Sequence, residues 1–398
     1  MKRVLKLLAF QVGRAAFAGY GVWSWLRGPR ARLPLNPSDT QRLLVIRLDL
    51  LGDAVFSLPA IKALAAGFPQ AELDVLALPY TAPLLRTVPE IHRVYELDVN
   101  VYRRPSGLLR LRSLVAIVRL LRDRHYDVAI SLSRLVGGIF AVASGARWRA
   151  GPGAETYWGC FNVPLPGRRY ASGEHEIDFC LGIAGALGAR PDESVPRLAA
   201  PSPQDGPSSL KAQQPYVAIV PGASNGSAKQ WPVRYWAELV ERLVKQGFSV
   251  AVCGAASERD LARQLTLSVD VPVTDLVGRT SIPELSRVLA GAALVIGGDT
   301  GPLHVAAALD RPVLGIYGPT DPVNTGPRSA RARVLRSGIE CSPCYDLRSP
   351  AECKLPDKSV RCMWLIQPTD VFTAAMDLLA APSALAEPSG TLAPPDDR

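Results

Sequence analysis

Ala292–Leu309 reads AALVIGGDTGPLHVAAAL, and the rest of the chain is best understood outward from it. Ala293 to Ile296 is a short apolar run of the kind that fills a buried parallel strand. Gly297 and Gly298 open a turn. Asp299 and Thr300 are helix-entry residues, Pro302 suits a first helical turn, and Val305–Leu309 is apolar helix former. A strand, a turn and a helix in this order aim free backbone N–H groups and the positive helix end at whatever lies above the strand. A phosphate is the natural guest. Thr300 adds a hydroxyl, and His304 falls in the first turn, within reach of the same anion. An ordinary strand-to-helix turn with a structural histidine has the same letters, so the turn needs support from elsewhere.

That support comes from alternation. Gln41–Asp49 predicts a strand, and Ala54–Gly67 an apolar helix with a kink or a fresh start at Pro59. Strands follow at Glu72–Leu78, Arg93–Leu97 and Asp127–Ser133. Helices are expected at Leu108–Arg124, Leu135–Ala143 and Glu174–Leu187. Arg190–Gln214 is rich in Pro, Ser, Ala and Gln and reads as a linker. A second series begins with strand Tyr216–Val220, helix Arg234–Gln246, strand Ser249–Cys253 and helix Glu258–Leu267. It continues with strand Asp275–Val277, helix Ile282–Leu289, the opening stretch, strand Pro312–Tyr317 and helix Val371–Leu379. Two α/β series imply two doubly wound parallel sheets, whose ligands bind beyond the carboxyl ends of strands. The domains expected are a basic amphipathic segment at 1–38, a Rossmann-like domain at 39–189, the linker at 190–214, a second Rossmann-like domain at 215–380 and a disordered tail at 381–398.

A length of 398 residues suits two such domains, and 48% hydrophobic with 20% charged residues suits a globular enzyme. The net charge of +9 favours anionic partners, but no arginine-rich stretch interleaved with aromatics points to nucleic acid. Residues 1–32 are basic and apolar. Lys6 and Arg14 interrupt the apolar run, while Trp23, Trp25, Arg27, Arg30 and Arg32 suit a helix lying in a membrane interface. A helix docked on the protein and a true anchor remain alternatives.

Several signals are absent. There is no G-x-G-x-x-G for a dinucleotide, no Gly-Lys pair for a P-loop, no D-x-D pair for a divalent metal on a sugar nucleotide, and no H-E-x-x-H. A bound diphosphate would then be neutralised by helix ends and by the protein's own cations. The loop Pro221–Pro232 offers them: Ser224 and Asn225 can donate hydrogen bonds, and Lys229 can place a point charge. Glu258, after the strand ending at Cys253, can accept ribose hydroxyls or simply open a helix. In the first half, Asp49 and Asp53 follow the first strand. Asp53 stands just before a helix, where a carboxylate can take a proton from a substrate hydroxyl or cap the helix.

At this point the chain resembles glycosyltransferase family nine, the lipopolysaccharide heptosyltransferases. The pieces are IRLDLLGDAVFSLPAIKAL, VPGASNGSAKQWPVRYWAEL, CGAASERDLA and VIGGDTGPLHVAAALDRPVLGIYGPTDP, in that order, within a likeness running from Arg42 to Leu379. The resemblance implies a GT-B fold, α/β with two Rossmann-like domains facing a central cleft. It implies Asp53 as the general base. Ser224, Asn225 and Lys229 would contact the donor diphosphate or sugar, and Glu258 the ribose or adenosine. Asp299 would contact the donor sugar, with Thr300, Gly301 and His304 around the diphosphate. Where family members often carry threonines, this chain has Ser224 and Asn225.

The activity so implied is inverting, metal-independent transfer of a heptose from ADP-heptose to a lipopolysaccharide-core or related lipid-linked acceptor. It needs no catalytic cofactor and takes place on the inner face of the cytoplasmic membrane, against an anionic lipid surface. Another nucleotide sugar for a different surface glycan, and an inactive sugar-nucleotide-binding partner protein, are the competing readings. Cys341, Cys344, Cys353 and Cys362 have the spacing C-x2-C-x8-C-x8-C, compatible with a structural zinc site or with reduced thiols in a packed loop.

Overall fold

The computed structural model describes residues 33–98, 107–157, 159–167, 169–170, 173–190, 193–201, 215–223, 226–345 and 352–381. The basic segment 1–32, the tail after 381, and Ser224 and Asn225 lie outside them. Among the described residues no helix is long and apolar enough to cross a membrane.

Among the described residues twelve strands form two sheets, every pairing parallel. The first holds β1 (Arg42–Arg47), β2 (Glu72–Ala77), β3 (Arg93–Glu96), β4 (Val128–Ser131), β5 (Trp148–Pro152) and β6 (Val163–Leu165). The second holds β7 (Tyr216–Val220), β8 (Ser249–Val252), β9 (Thr274–Asp275), β10 (Leu294–Gly298), β11 (Val313–Ile316) and β12 (Ala332–Leu335). The spatial order is β3-β2-β1-β4-β5-β6 in one and β12-β11-β10-β7-β8-β9 in the other, the same order read in opposite directions. Each sheet reverses its winding between two central strands, β1 and β4 or β7 and β10. In α/β folds the crevice at such a point receives the ligand. The central strands are apolar on both faces because helices cover both: Leu43 to Ile46 and Leu294 to Ile296 are wholly buried.

The expected helix over 54–67 is two helices, Leu51–Phe56 and Leu58–Gly67. Pro59 opens the second, where its missing N–H leaves no bond unmade. The glycine turn also differs from expectation. β10 runs through Gly297 and Gly298, which pair with Gly315 and Ile316, so the turn shrinks to Asp299–Thr300 before helix Gly301–Ala308. β5, β6 and β12 were not expected; their sequences, WRAGP, VPL and ARVL, are short and interrupted by Pro, Gly or Arg.

The two halves share one apolar core, which runs from Val45 and Phe56 to Leu303 and Ala307. Its centre is the packing of helix Leu51–Phe56 on helix Gly301–Ala308. A Cβ at Gly52 would stand 2.9 Å from His304 Cδ2, and one at Gly301 would stand 2.6 Å from Leu51 Cβ. Only glycine lets the two helix starts approach so closely. Around this contact, His175 Nε2 lies 2.9 Å from the Gly326 carbonyl, and Asn324 Nδ2 donates to the Glu174 carbonyl at 3.0 Å. Arg328 grips Asp178 through two bonds of 2.6 Å.

Candidate active site

Between the domains lies a cavity of about 760 Å³, lined from one side by Asp53, Tyr80 and Tyr170 and from the other by Lys229, Glu258 and Asp299–His304. It sits at the carboxyl ends of β1, β7 and β10, where the two winding reversals face each other. Of the residues expected at a site, Asp53, Lys229, Glu258, Asp299, Thr300, Gly301 and His304 all line this one cavity.

Asp53 stands in the first turn of helix Leu51–Phe56, placed there by the tight Leu50–Gly52 approach to the other domain. Its Oδ2 accepts the Leu50 N–H at 3.0 Å and so caps its own helix. Oδ1 meets only a long contact, 3.4 Å from Arg47 Nη2. Capping therefore engages one oxygen of the carboxylate and leaves the other without a short contact among the described residues. Burial pushes the Asp53 carboxyl up to about 6, against the pull of Arg47 and with the help of Asp49 and Glu176. Asp49, the rival base, does not line the cavity; it accepts the Ser133 hydroxyl at 2.6 Å and faces Arg47 and Arg169.

Across the cavity, Asp299 is the hub. Lys229 Nζ lies 3.0 Å from its Oδ2, and His304 Nε2 3.2 Å from its Oδ1. Tyr317 and Thr325 hydroxyls approach the same carboxylate at 3.4 Å. Burial alone would raise Asp299; Lys229 and His304 outweigh it and hold it well below the usual carboxylate range. Lys229 also lies 4.9 Å above the Tyr345 ring. His304, which the resemblance puts around a diphosphate, lines the cavity with a buried ring that is hydrogen-bonded to Asp299 and packed 4.5 Å from Phe56, and among the described residues its Nδ1 has no partner. Thr300 stands at the helix N-cap without capping it, and its buried hydroxyl has no partner. Among the described residues it is an unpaired donor at the N-terminus of that helix. Glu258 accepts the Ala255 N–H at 2.8 Å and packs against Gly222 and Gly254, so it both opens a helical turn and lines the cavity. Burial raises it.

Sequence reasoning missed the support beneath Asp53. Arg47 and Glu176 are wholly buried, 2.9 Å apart, and Arg169 joins them at 3.3 Å from Glu176. A signal was present: Arg47 ends the otherwise apolar strand LLVI, and a charge there must be paired inside the protein. Tyr80, Tyr170, Tyr317, Thr325 and Tyr345 were also missed. Tyr80, Tyr170 and Tyr345 come from segments outside the motifs, whereas Tyr317 lies within the last of them and Thr325 just beyond it.

Cys341, Cys344, Cys353 and Cys362 gather around a second cavity of about 100 Å³. All four are free thiols, and among the described residues no group of three or more His, Cys, Asp or Glu side chains is arranged to hold a metal ion. The fold brings the four thiols around one small cavity, without a ligand set among the described residues.

Comparison with known proteins agrees with this architecture. The sequence model described as Glycosyltransferase family 9 (heptosyltransferase) matches residues 114–355. Lipopolysaccharide heptosyltransferase 2 of Salmonella typhimurium is 28% identical over 318 residues, which cover 74% of this chain and 88% of that one. Lipopolysaccharide heptosyltransferase 1 of Pseudomonas aeruginosa is 27% identical, with 86% and 99% covered. The solved structure of Escherichia coli ADP-heptose lipopolysaccharide heptosyltransferase II superposes with a TM-score of 0.69 at 25% identity, covering 85% of this chain and 98% of that one. The two sheets about one cleft are the GT-B fold of these enzymes. The chain belongs to glycosyltransferase family 9 and is a glycosyltransferase.

Proposed function

We propose that this enzyme transfers a heptose from ADP-heptose to a lipopolysaccharide-core or related lipid-linked acceptor, with inversion and without a metal ion. The observation that carries the reading is a carboxylate raised to about 6, Asp53, facing a lysine–aspartate pair and a helix N-terminus across one cavity. The names of the relatives supply the donor and the acceptor class.

The chemistry follows from the geometry. An acceptor hydroxyl, entering past Tyr80, gives its proton to Asp53 Oδ1 as its oxygen attacks the anomeric carbon. The bond to the diphosphate breaks on the far side, so a single displacement inverts the centre. Charge grows on the leaving diphosphate, where Lys229, the Thr300 hydroxyl and the N–H groups of helix Gly301–Ala308 stabilise it. These groups take the part that a divalent cation plays elsewhere. Glu258, deeper along the same wall, accepts hydroxyls of the ribose. Ser224 and Asn225, beside Lys229 in sequence, complete the donor contacts, and the basic segment 1–32 holds the enzyme on the anionic inner face of the membrane.

Thermal stabilisation by ADP, UDP and GDP, with and without EDTA, tests the donor. A shift with ADP that EDTA does not change, followed by turnover of ADP-heptose to a product of opposite anomeric configuration, is the expected result. A shift confined to UDP or GDP would replace the donor. Turnover abolished by EDTA would overturn metal independence.

A further inference from the structure

Asp53 is held by one guanidinium. Arg47 Nε donates to the Asp53 carbonyl at 2.9 Å, and Nη2 stands 3.4 Å from Asp53 Oδ1. Nη1 donates to the Leu132 carbonyl at the end of β4, which pins the guanidinium to the sheet. The same Nη2 makes its shorter bond, 2.9 Å, to Glu176 Oε1. Arg47 and Glu176 are both wholly buried, so neither is diverted by water.

We propose that Arg47, tethered by Glu176, is the positioning residue for Asp53: it fixes the base through backbone and side chain together, while Glu176 draws the guanidinium away from a full pair. The proposal rests on the reading of Asp53 as the general base. A guanidinium in bidentate contact with Asp53 would lock the carboxylate as a weakly basic anion. One shared with Glu176 steers Oδ1 at a distance and leaves it able to take a proton. Glu176 contributes in a second way, since its negative charge opposes ionisation of Asp53.

The surrounding groups fit this arrangement. Part-exposed Asp49 faces both Arg47 and Arg169, and buried Arg169 is paired in turn with Glu176 and Glu155. Tyr80 and Tyr170 flank Asp53, and Tyr345 faces it across the cleft; burial raises all three phenols, so they add no charge near neutral pH. On the faces packed against the helix of Asp53, His304 is bonded to Asp299, and burial lowers His175.

The test is a carboxyl-carbon NMR titration of the full chain with labelled aspartate, the Asp53 signal assigned by its loss in Asp53→Asn. It is paired with ADP release from ADP-heptose in the presence of acceptor. In Arg47→Met the Asp53 midpoint should rise by about one unit or more, and kcat should fall about 100-fold with the donor KM unchanged. In Glu176→Gln the midpoint should move down, as Arg47 closes on Asp53. Arg47→Lys should bring the midpoint back without restoring kcat, because an ammonium supplies charge but not the fork. A merely structural role would not move the midpoint in opposite directions. Should Arg47→Met fail to fold, the near-isosteric Glu176→Gln carries the same titration. An unmoved Asp53 midpoint in Glu176→Gln, or full kcat in Arg47→Lys, would overturn the proposal while Asp53→Asn stays inactive. Normal turnover in Asp53→Asn would instead remove the base itself, and the proposal with it.

Discussion

Lys229 and Asp299 form an ion pair, Nζ to Oδ2 at 3.0 Å, with side chains only 10% and 9% exposed, on the wall of the cavity that faces Asp53. A pair so placed constrains both partners. Lys229 cannot be removed without leaving a buried carboxylate short of its strongest counter-charge.

Lys229→Ala is therefore expected to cost stability as well as donor binding, by about 3 kcal/mol or more. Urea unfolding and the ADP-induced thermal shift should both register the loss. Because the folded protein holds Asp299 below its ordinary value, its contribution is present above about pH 4 and lost as pH falls through the depressed value. In Lys229→Ala that acid loss should begin at higher pH. An acid-unfolding midpoint identical to the parent's would contradict the coupling.

Asp53→Ala should keep the ADP-induced shift and lose turnover. Rate measurements across pH supply the companion result: kcat/KM should fall as pH drops below about 6, where Asp53 becomes protonated. Stability runs the other way. A carboxyl raised in the folded state contributes stability below about pH 4, lost as pH rises through about 6. Near-normal turnover in Asp53→Ala would transfer the role of base to Asp49.

Gly52→Ala and Gly301→Ala should each destabilise by about 1–3 kcal/mol, because the added methyl meets the His304 ring or Leu51 with little room to yield. The damage falls where the two domains touch, so KM for the donor should rise along with the loss in Tm. Unchanged Tm and KM in both variants would mean that the close approach is not needed.

Arg328→Ala should act weakly. The Arg328–Asp178 pair is bidentate but part-exposed, at 28% and 43%, so water and salt screen it. A loss of at most about 1 kcal/mol, shrinking as salt is raised, is expected. Small-angle scattering should show the ligand-free cleft unchanged. A large, salt-independent loss would show that this contact, rather than the packing of Gly52 and Gly301, holds the domains.

Much of this was legible in the letters. Local rules place the strands at Tyr216–Val220 and Glu72–Ala77 and the helix at Leu135–Ala143, because periodicity and helix-entry residues act within a few neighbours. The motif residues that line the cavity are legible for the same reason: each follows a strand, and doubly wound sheets put such positions on one rim. The short strands β5, β6 and β12, at or next to a sheet edge, were not, since Pro, Gly and Arg break their patterns and only sheet pairing makes them strands. The four cysteines are legible only as neighbours, for spacing predicts proximity but not ligand geometry.

Sequence alone placed two parallel α/β units and the entry to helix Gly301–Ala308, and marked Asp53, Lys229 and Asp299 as candidates for one site. Contacts between distant segments established what those groups are. Asp53 becomes a raised carboxylate because packing buries it and sets Asp49 and Glu176, the latter 123 positions after it, against the opposing pull of Arg47, 6 positions before it. His304 becomes a strut to Phe56 and Asp299 because the two helix starts meet at Gly52 and Gly301. Burial and Coulomb interaction depend on three-dimensional distance, which no local pattern encodes, so the chemistry of these side chains is set by the packing of the two domains.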